Sequence, residues 1–304
     1  MTGAKTQIPR FIYAGQGGTL SVEPLRCLLE AGIRPLAVLM PHKPVYAGHH
    51  KLNLLPVQPP RLLSNLANMA IENDLPLITW ERGRENELAQ VLAEYAPECV
   101  IVSCFPWRVT MALLTIPRHG WWNLHPSLLP AYRGPSPLFW QARDEVLRTG
   151  ITLHCMTGDF DEGAILNQSG LDTDQMTLRE LERQLGQMGG RLIVKALNGL
   201  LTNQLIQHEQ NAQQASYQPM PTLADRRISL TGRASDAHTF ISKVYDSYPL
   251  WLELDGQRFA ITRPVAADDN MQLDVDWQIA DDELMIKFEK GVLSVRAEEL
   301  YGHS

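Results

Sequence analysis

Cysteine is scarce in this chain of 304 residues, at Cys27, Cys99, Cys104 and Cys155, and no two of them form a Cys-x-x-Cys pair. That excludes a zinc ribbon or a dithiol redox motif, and the apolar stretches around them read as reduced core thiols of a cytosolic protein. The nine histidines are dispersed apart from His49-His50, so no metal site is expected. Long apolar runs are missing too. Nothing spans a bilayer, and Met1-Thr2-Gly3-Ala4-Lys5-Thr6-Gln7 carries no leader-like core, so the expectation is a cytoplasmic protein with no membrane partner. The turn Gly15-Gln16-Gly17-Gly18 is a weak phosphate-cradle signal. It lacks the Gly-x-Gly-x-x-Gly of dinucleotide enzymes and the Gly-x-x-x-x-Gly-Lys of nucleoside triphosphatases, which leaves no ground for NAD or ATP. A basic excess is absent as well, with 27 Lys and Arg against 34 Asp and Glu. No internal repeat is evident.

What is present is ordinary globular material, 44% hydrophobic and 20% charged, enough for one large core or two ordinary ones. The first part alternates apolar strand runs with helical patterns, the signature of an α/β fold with a parallel sheet and crossover helices. Strands are expected at Arg10 to Ala14, Pro35 to Met40, Leu75 to Thr79 and Cys99 to Cys104, and helices at Val22 to Ala31, Leu62 to Asn73 and Asn86 to Tyr95. Thr177 and Glu180 form a capping box for a helix reaching about Leu201. This sets a first domain at 1–202. The polar, glutamine-rich stretch 203–218 reads as a linker, and 219–304 as a smaller, mainly β domain. Its best signal is Trp251-Leu252-Glu253-Leu254, an Asp255-Gly256 turn, and Gln257 to Ile261; a second hairpin is expected between Met285 and Val295 around Lys290-Gly291.

The chemistry is concentrated in Asn123-Leu124-His125-Pro126-Ser127-Leu128-Leu129-Pro130, continuing through Tyr132-Arg133-Gly134-Pro135. A spacing of two on extended chain sends the Asn123 amide and the His125 ring to the same face. The prolines that follow restrict the backbone carrying them. A second run, Thr152-Leu153-His154-Cys155-Met156-Thr157-Gly158-Asp159-Phe160-Asp161-Glu162-Gly163, places an aspartate before a glycine turn.

Together these motifs resemble the 10-formyltetrahydrofolate-dependent formyltransferases, in register over residues 10 to 200 and weakly beyond. Within that family the likeness is strongest to the methionyl-tRNA formyltransferases and the glycinamide ribonucleotide enzymes. The resemblance implies a Rossmann-like catalytic domain at 1–202 and a C-terminal module for which an OB-like barrel is one form. It implies a catalytic trio of Asn123, His125 and Asp161. It also implies a folate held against the backbone of Phe105, Pro106, Trp107, Arg108 and Val109 and of Thr157, Gly158 and Asp159. Trp107 departs from the family pattern, so its side chain either lines the folate entrance or packs.

The implied activity is one-carbon group transfer from 10-formyltetrahydrofolate to a primary amine. Attack on the formyl carbon makes a tetrahedral adduct with a negative oxygen, for which Asn123 and a protonated His125 are the expected donors. Histidine also suits the proton traffic between amine and folate nitrogen. Asp161 either orients His125 or positions a relaying water. His154 reads as a packed or supporting histidine, Asp159 as a loop carboxylate, and Ser127 as a loop-shaping residue, since no Gly-x-Ser-x-Gly elbow surrounds it.

The acceptor is read from charge. Relatives that grip transfer RNA carry a basic loop after the second strand and a positive C-terminal domain, because phosphate contacts dominate such binding. Here the stretch Pro41 to Lys51 holds only Lys43 and Lys51 as basic residues, and residues 205–304 carry nine Lys or Arg against sixteen Asp or Glu. The acidic run Asp268-Asp269, Asp274, Asp276 and Asp281-Asp282-Glu283 would repel a phosphate backbone. The expected acceptor is therefore a small amine, such as a nucleotide-linked amino sugar or an amino acid, with initiator transfer RNA as the alternative. A formyltetrahydrofolate hydrolase and a folate-binding module without turnover are the other readings. The oligomeric state is not written in the sequence.

Overall fold

A computed structural model describes residues 8–41, 65–173 and 176–300. In chain order the first elements are β1 (Phe11–Gly15), α1 (Thr19–Glu30), β2 (Val38–Pro41), α2 (Asn65–Glu72), β3 (Leu77–Trp80), α3 (Glu85–Tyr95) and β4 (Cys99–Ser103). Then come α4 (Met111–Leu114), β5 (Trp121–His125), α5 (Pro137–Arg143), β6 (Arg148–Cys155), β7 (Ile165–Asp172) and α6 (Leu178–Leu201). The last are α7 (Ala234–Val244), β8 (Leu250–Leu254), β9 (Gln257–Asp268), β10 (Trp277–Ala280), β11 (Glu283–Lys287) and β12 (Val292–Glu299). The expected basic-loop stretch beyond Pro41, the residues 62–64 of the second expected helix, and the first seven residues lie outside the described residues.

Seven strands form one sheet in the order β3-β2-β1-β4-β5-β6-β7. Strands β1, β2 and β4 are buried along their whole length, as a sheet covered on both faces requires, whereas edge strand β3 alternates exposed and buried positions. The pairs from β3 to β5 are parallel, but β5 and β6 run antiparallel, so the sheet is mixed rather than all parallel. The chain leaves β5 through a proline-rich loop and the short α5 instead of a covering crossover helix, and the return strand therefore runs the opposite way.

The carboxyl end of β4 is fixed by polar bonds that the sequence makes necessary. Pro24 lies inside α1 and has no N–H for the Leu20 carbonyl. The Ser103 hydroxyl donates to that carbonyl instead, while Ser21 Oγ donates to Ser103 O at 2.6 Å and the buried Tyr13 hydroxyl to Ser21 O at 2.7 Å. Burial holds the Tyr13 phenol protonated and likewise raises all four thiols, Cys155 to about 11 and Cys104 to about 12, so none is a ready nucleophile.

The described residues divide into two compact units. One is drawn from Met1–Arg133, Thr149–Leu171 and Glu182–Tyr217, the other from Gly134–Arg148, Asp172–Leu181 and Gln218–Ser304. In the second unit, five antiparallel strands run in the order β10-β11-β12-β9-β8. The Asp255-Gly256 hairpin is present, with φ of 48° and 78° as a tight turn of the primed type demands. Asp281 and Asp282, at φ of 51° and 62°, make the same kind of turn between β10 and β11. The Trp277 indole packs on Phe259 and donates to Asp255 at 2.8 Å, curling β10 toward the first hairpin, yet β8 and β10 remain the edges and the described ladder does not close into a barrel. The expected mainly β domain also carries helices: α7 packs on this sheet, and α5 meets α7 and the segment after it through Phe139, Phe240 and Tyr248.

At the start of α6 the Thr177 hydroxyl accepts from Glu180 N at 3.3 Å. Thr177→Ala is expected to cost about 1 kcal/mol of unfolding free energy, the usual loss for such a cap, measurable by urea titration.

Candidate active site

Asn123 and His125 leave the same face of β5, near its carboxyl end, where open α/β sheets bind their ligands. The antiparallel neighbour β6 places His154 directly opposite Asn123. The chain then turns back through Asp161, whose φ of 57° lies in the left-handed region that aspartate tolerates. The carboxylate arrives between the three side chains. Asn123 Nδ2 donates to Asp161 Oδ1 at 3.3 Å and to His154 Nε2 at 3.2 Å, and Asp161 Oδ2 stands 3.5 Å from His125 Nδ1. The trio expected from the sequence is thus brought together, with His154 as a fourth member.

Hydrogen-bond partners assign both tautomers. A carbonyl only accepts, so His125 Nε2 carries the hydrogen it donates to Tyr132 O at 2.7 Å. His154 Nδ1 likewise donates to Cys155 O at 2.8 Å, which leaves its Nε2 as the acceptor for Asn123. His125 is 4% exposed, and this burial lowers its proton affinity below the usual 6.5, against an opposing pull from Asp161 and from the Tyr132 carbonyl. Burial thus disfavours the protonated form in which the sequence reading cast this ring. Its bare Nδ1 faces Asp161.

The loop after His125 is tied down by hydroxyls and one amide. Ser127 Oγ donates to Ala131 O, Thr152 Oγ1 to Ser127 O, each at 2.7 Å, and Gln168 Nε2 to Leu129 O at 3.0 Å. Ser127 is fully buried in this role, which agrees with the loop-shaping reading.

Three polar residues were given no task by the sequence. Arg133 donates to Glu162 Oε1 at 2.8 Å and, through Nε and Nη2, to Gln210 Oε1 at 3.2 and 2.8 Å. Gln210 Nε2 in turn donates to Asp161 O at 2.7 Å and Gly163 O at 2.8 Å. Gln210 comes from 203–218, expected as a linker. Up to Tyr217 this stretch is part of the first unit, and its backbone pairs there at two places, His208 with Ile165 and Ser216 with Pro130 and Arg133. No periodicity could have marked it, because its polar contacts are made by backbone, by the Ser216 hydroxyl and by the Gln210 carboxamide.

The two expected folate segments meet through Arg108, which donates to the Gly158 carbonyl and lies 5.7 Å from the Phe160 ring centroid. Their side chains diverge. Val109 is buried in the core, whereas Phe105 and Trp107 pack with Trp80 in a cluster with centroids 5.2 to 5.7 Å apart, so Trp107 packs. Pro106, Thr157 and Asp159 are exposed, and Thr157 Oγ1 donates to Asp159 O at 3.2 Å. Gly158 faces Met111. A separate polar cavity of about 510 Å³ lies at the opposite ends of β4 and β5, lined by Glu98, Arg118, His119 and Asn203, and contains none of the trio. Among the described residues no group of His, Cys, Asp and Glu is arranged to hold a metal ion, and no helix is long and apolar enough to cross a membrane.

Residues 38–197 match the Formyl transferase family model. The chain belongs to the formyl transferase family. A methionyl-tRNA formyltransferase from Bacteroides fragilis is 30% identical over 258 residues, covering 81% of this chain and 74% of the relative. Among solved structures, the sugar 3N-formyl transferase WlaRD aligns with a TM-score of 0.66 at 17% identity, over 97% of this chain and 99% of that one. A methionyl-tRNA formyltransferase from Clostridium thermocellum aligns at 0.59 and 14% identity, over 97% and 100%. Both structural likenesses reach across both units. This formyltransferase is therefore an enzyme of one-carbon transfer.

Proposed function

We propose that this formyltransferase passes the formyl group of 10-formyltetrahydrofolate to a small primary amine, using Asn123, His125 and Asp161. The observation that carries the reading is the convergence of a carboxamide, a buried imidazole and a carboxylate within 3.3 to 3.5 Å. The segments 105–109 and 157–159, bridged by Arg108 and Gly158, form the surface on which the folate would lie.

The donor supplies an electrophilic formyl carbon. When an amine attacks it, negative charge grows on the formyl oxygen, and a donor placed there is worth most in a water-poor site. The two hydrogen bonds from Asn123 are long, and an oxyanion is a stronger acceptor than a ring nitrogen, so the substrate competes successfully for that hydrogen. His125 Nδ1 is free to take the amine proton. The imidazolium that forms then faces Asp161 Oδ2, which stabilises it until the proton passes to the leaving folate nitrogen. Because His125 must be neutral to act, the loss of kcat on acidification is expected only below pH 6.5. A kcat profile that falls already above that value would contradict a depressed His125.

Acceptor size rests on charge. The 205–304 stretch carries nine cationic residues against sixteen acidic ones. Initiator transfer RNA is the second reading, favoured by the named relative and by Arg143, Arg227 and Arg233, which line adjoining clefts of about 460 and 200 Å³ in the second unit. Those cations are partly committed. Arg143 donates to Asp225 O, Arg227 lies over Trp251, and Arg233 meets Asp269 at 3.6 Å. The test offers purified protein and 10-formyltetrahydrofolate to charged initiator transfer RNA and, separately, to small amines including nucleotide amino sugars. Turnover with a small amine is expected. Turnover with transfer RNA alone would overturn the acceptor assignment, and formate release without acceptor would make the enzyme a hydrolase.

A further inference from the structure

The proposed chemistry leaves Arg133 and Gln210 without a role, although Arg133 is among the few charged residues that are buried. We infer that Gln210 is a positioning residue for Asp161, seated by the Arg133 guanidinium and holding the 161–163 turn from behind so that the carboxylate meets His125. This rests on reading Asp161 as the partner of His125.

The orientation of the Gln210 amide is dictated by its neighbours. A guanidinium has only donors, so Oε1 must face Arg133, and both Nε2 hydrogens are then directed at the carbonyls of Asp161 and Gly163. Every polar atom of the carboxamide is used, and the two carbonyls it grips flank Glu162, whose carboxylate Arg133 also binds. Aspartate tolerates the left-handed conformation of Asp161, and the Gln210 carboxamide adds a grip on the carbonyl of that residue and on that of Gly163.

The same backbone serves as reference for both partners. Tyr132 O receives the His125 hydrogen, and the next residue, Arg133, seats Gln210. That dipeptide is itself held by Ser216, whose hydroxyl accepts from Tyr132 N at 2.8 Å and whose carbonyl accepts from Arg133 N at 2.9 Å. At the other end of the strap, His208 and Ile165 exchange backbone bonds of 2.8 and 2.9 Å just beyond the Asp161 turn. Ring and carboxylate are thus spaced from a common frame, and a glutamine-rich segment closes it.

The groups facing His125 are Asp161 from the turn, His154 from β6 and the Tyr132 carbonyl. If Gln210 sets the first of these, loosening it weakens the pull of the carboxylate on the His125 proton. Gln210→Met keeps the length and removes the hydrogen bonds. Gln210→Glu keeps the shape but turns an acceptor toward the two carbonyls. Arg133→Lys keeps the charge and loses the fork.

Each variant is expected to lose kcat by about 10²-fold, the scale of a misplacement near 1 Å, with the folate KM unchanged. The deciding readout is the His125 ring titration followed by NMR, which needs no substrate. In Gln210→Met it should move to lower pH, in the same direction as in Asp161→Asn, and adding Gln210→Met to Asp161→Asn should move it no further. A His125 titration in Gln210→Met identical to that of the unaltered protein overturns the inference, as does a full additional shift in the double variant. Should Gln210→Met not fold, Gln210→Glu and Arg133→Lys carry the same comparison. Absence of formyl transfer by the unaltered protein would instead sink the functional reading, leaving the titration to judge the clamp separately.

Discussion

Asp161→Asn is expected to lower kcat for formyl transfer by about 10²- to 10⁴-fold, the range that a positioned acid–base system contributes. The substitution is nearly isosteric and can still accept from Asn123, so the fold should be retained. What it removes is the negative charge 3.5 Å from His125 Nδ1. In the resting enzyme that charge faces a bare nitrogen and gains little. In the adduct it faces an imidazolium, inside a site where the carboxylate is only 11% exposed and water screens poorly. The loss therefore falls on the chemical step rather than on folate binding. Steady-state kinetics with saturating folate check this, and an equal rise in KM with kcat intact would assign Asp161 to binding instead.

Gly163→Ala is expected to give the largest stability loss among single substitutions near the site, about 3 kcal/mol, at the upper end of over-packing costs. A Cβ at this position would overlap the Cys155 carbonyl and press on Thr157, and neither is the free end of a flexible side chain. Relief requires the turn to move away from β6. That movement breaks the Gln210 bond to Gly163 O and carries Asp161 with it, so activity falls as well. Thermal or urea denaturation of Gly163→Ala beside Gly158→Ala provides the control. A Cβ at Gly158 meets nothing nearer than Met111 Sδ at 3.5 Å, an ordinary contact, and that variant should retain its stability. Equal stabilities in both would show that the turn is not packed as described.

The parts of this enzyme legible in its sequence are those carried by strong local rules. Strands β1 and β4 announced themselves as unbroken apolar runs, and Asp255-Gly256 as a hairpin turn. Asn123 and His125 were legible because a spacing of two fixes a shared face. Asp161 was reached only through resemblance, since nothing local links it to β5.

What stayed hidden depends on tertiary partners. The reversal of β6 follows from how the chain returns after Pro137, not from the composition of the strand. In α7 the apolar residues Ala234, Ala237, Phe240, Ile241 and Val244 recur at helical spacing, a signal passed over in reading this part as mainly β. Asp281-Asp282 read as a repulsive acidic run and serves also as a turn, because both aspartates accept positive φ. Gln210 was invisible in a glutamine-rich stretch whose structure is imposed by Arg133 and two carbonyls.

The most direct test of the central claim is the rate of formyl loss from 10-formyltetrahydrofolate, with a competent acceptor, in the unaltered enzyme and in Asn123→Ala. Removing a single oxyanion donor predicts a fall in kcat of about 10²–10³-fold with folate affinity preserved. An unchanged kcat in Asn123→Ala would contradict it and place the reacting carbon away from the β5 trio.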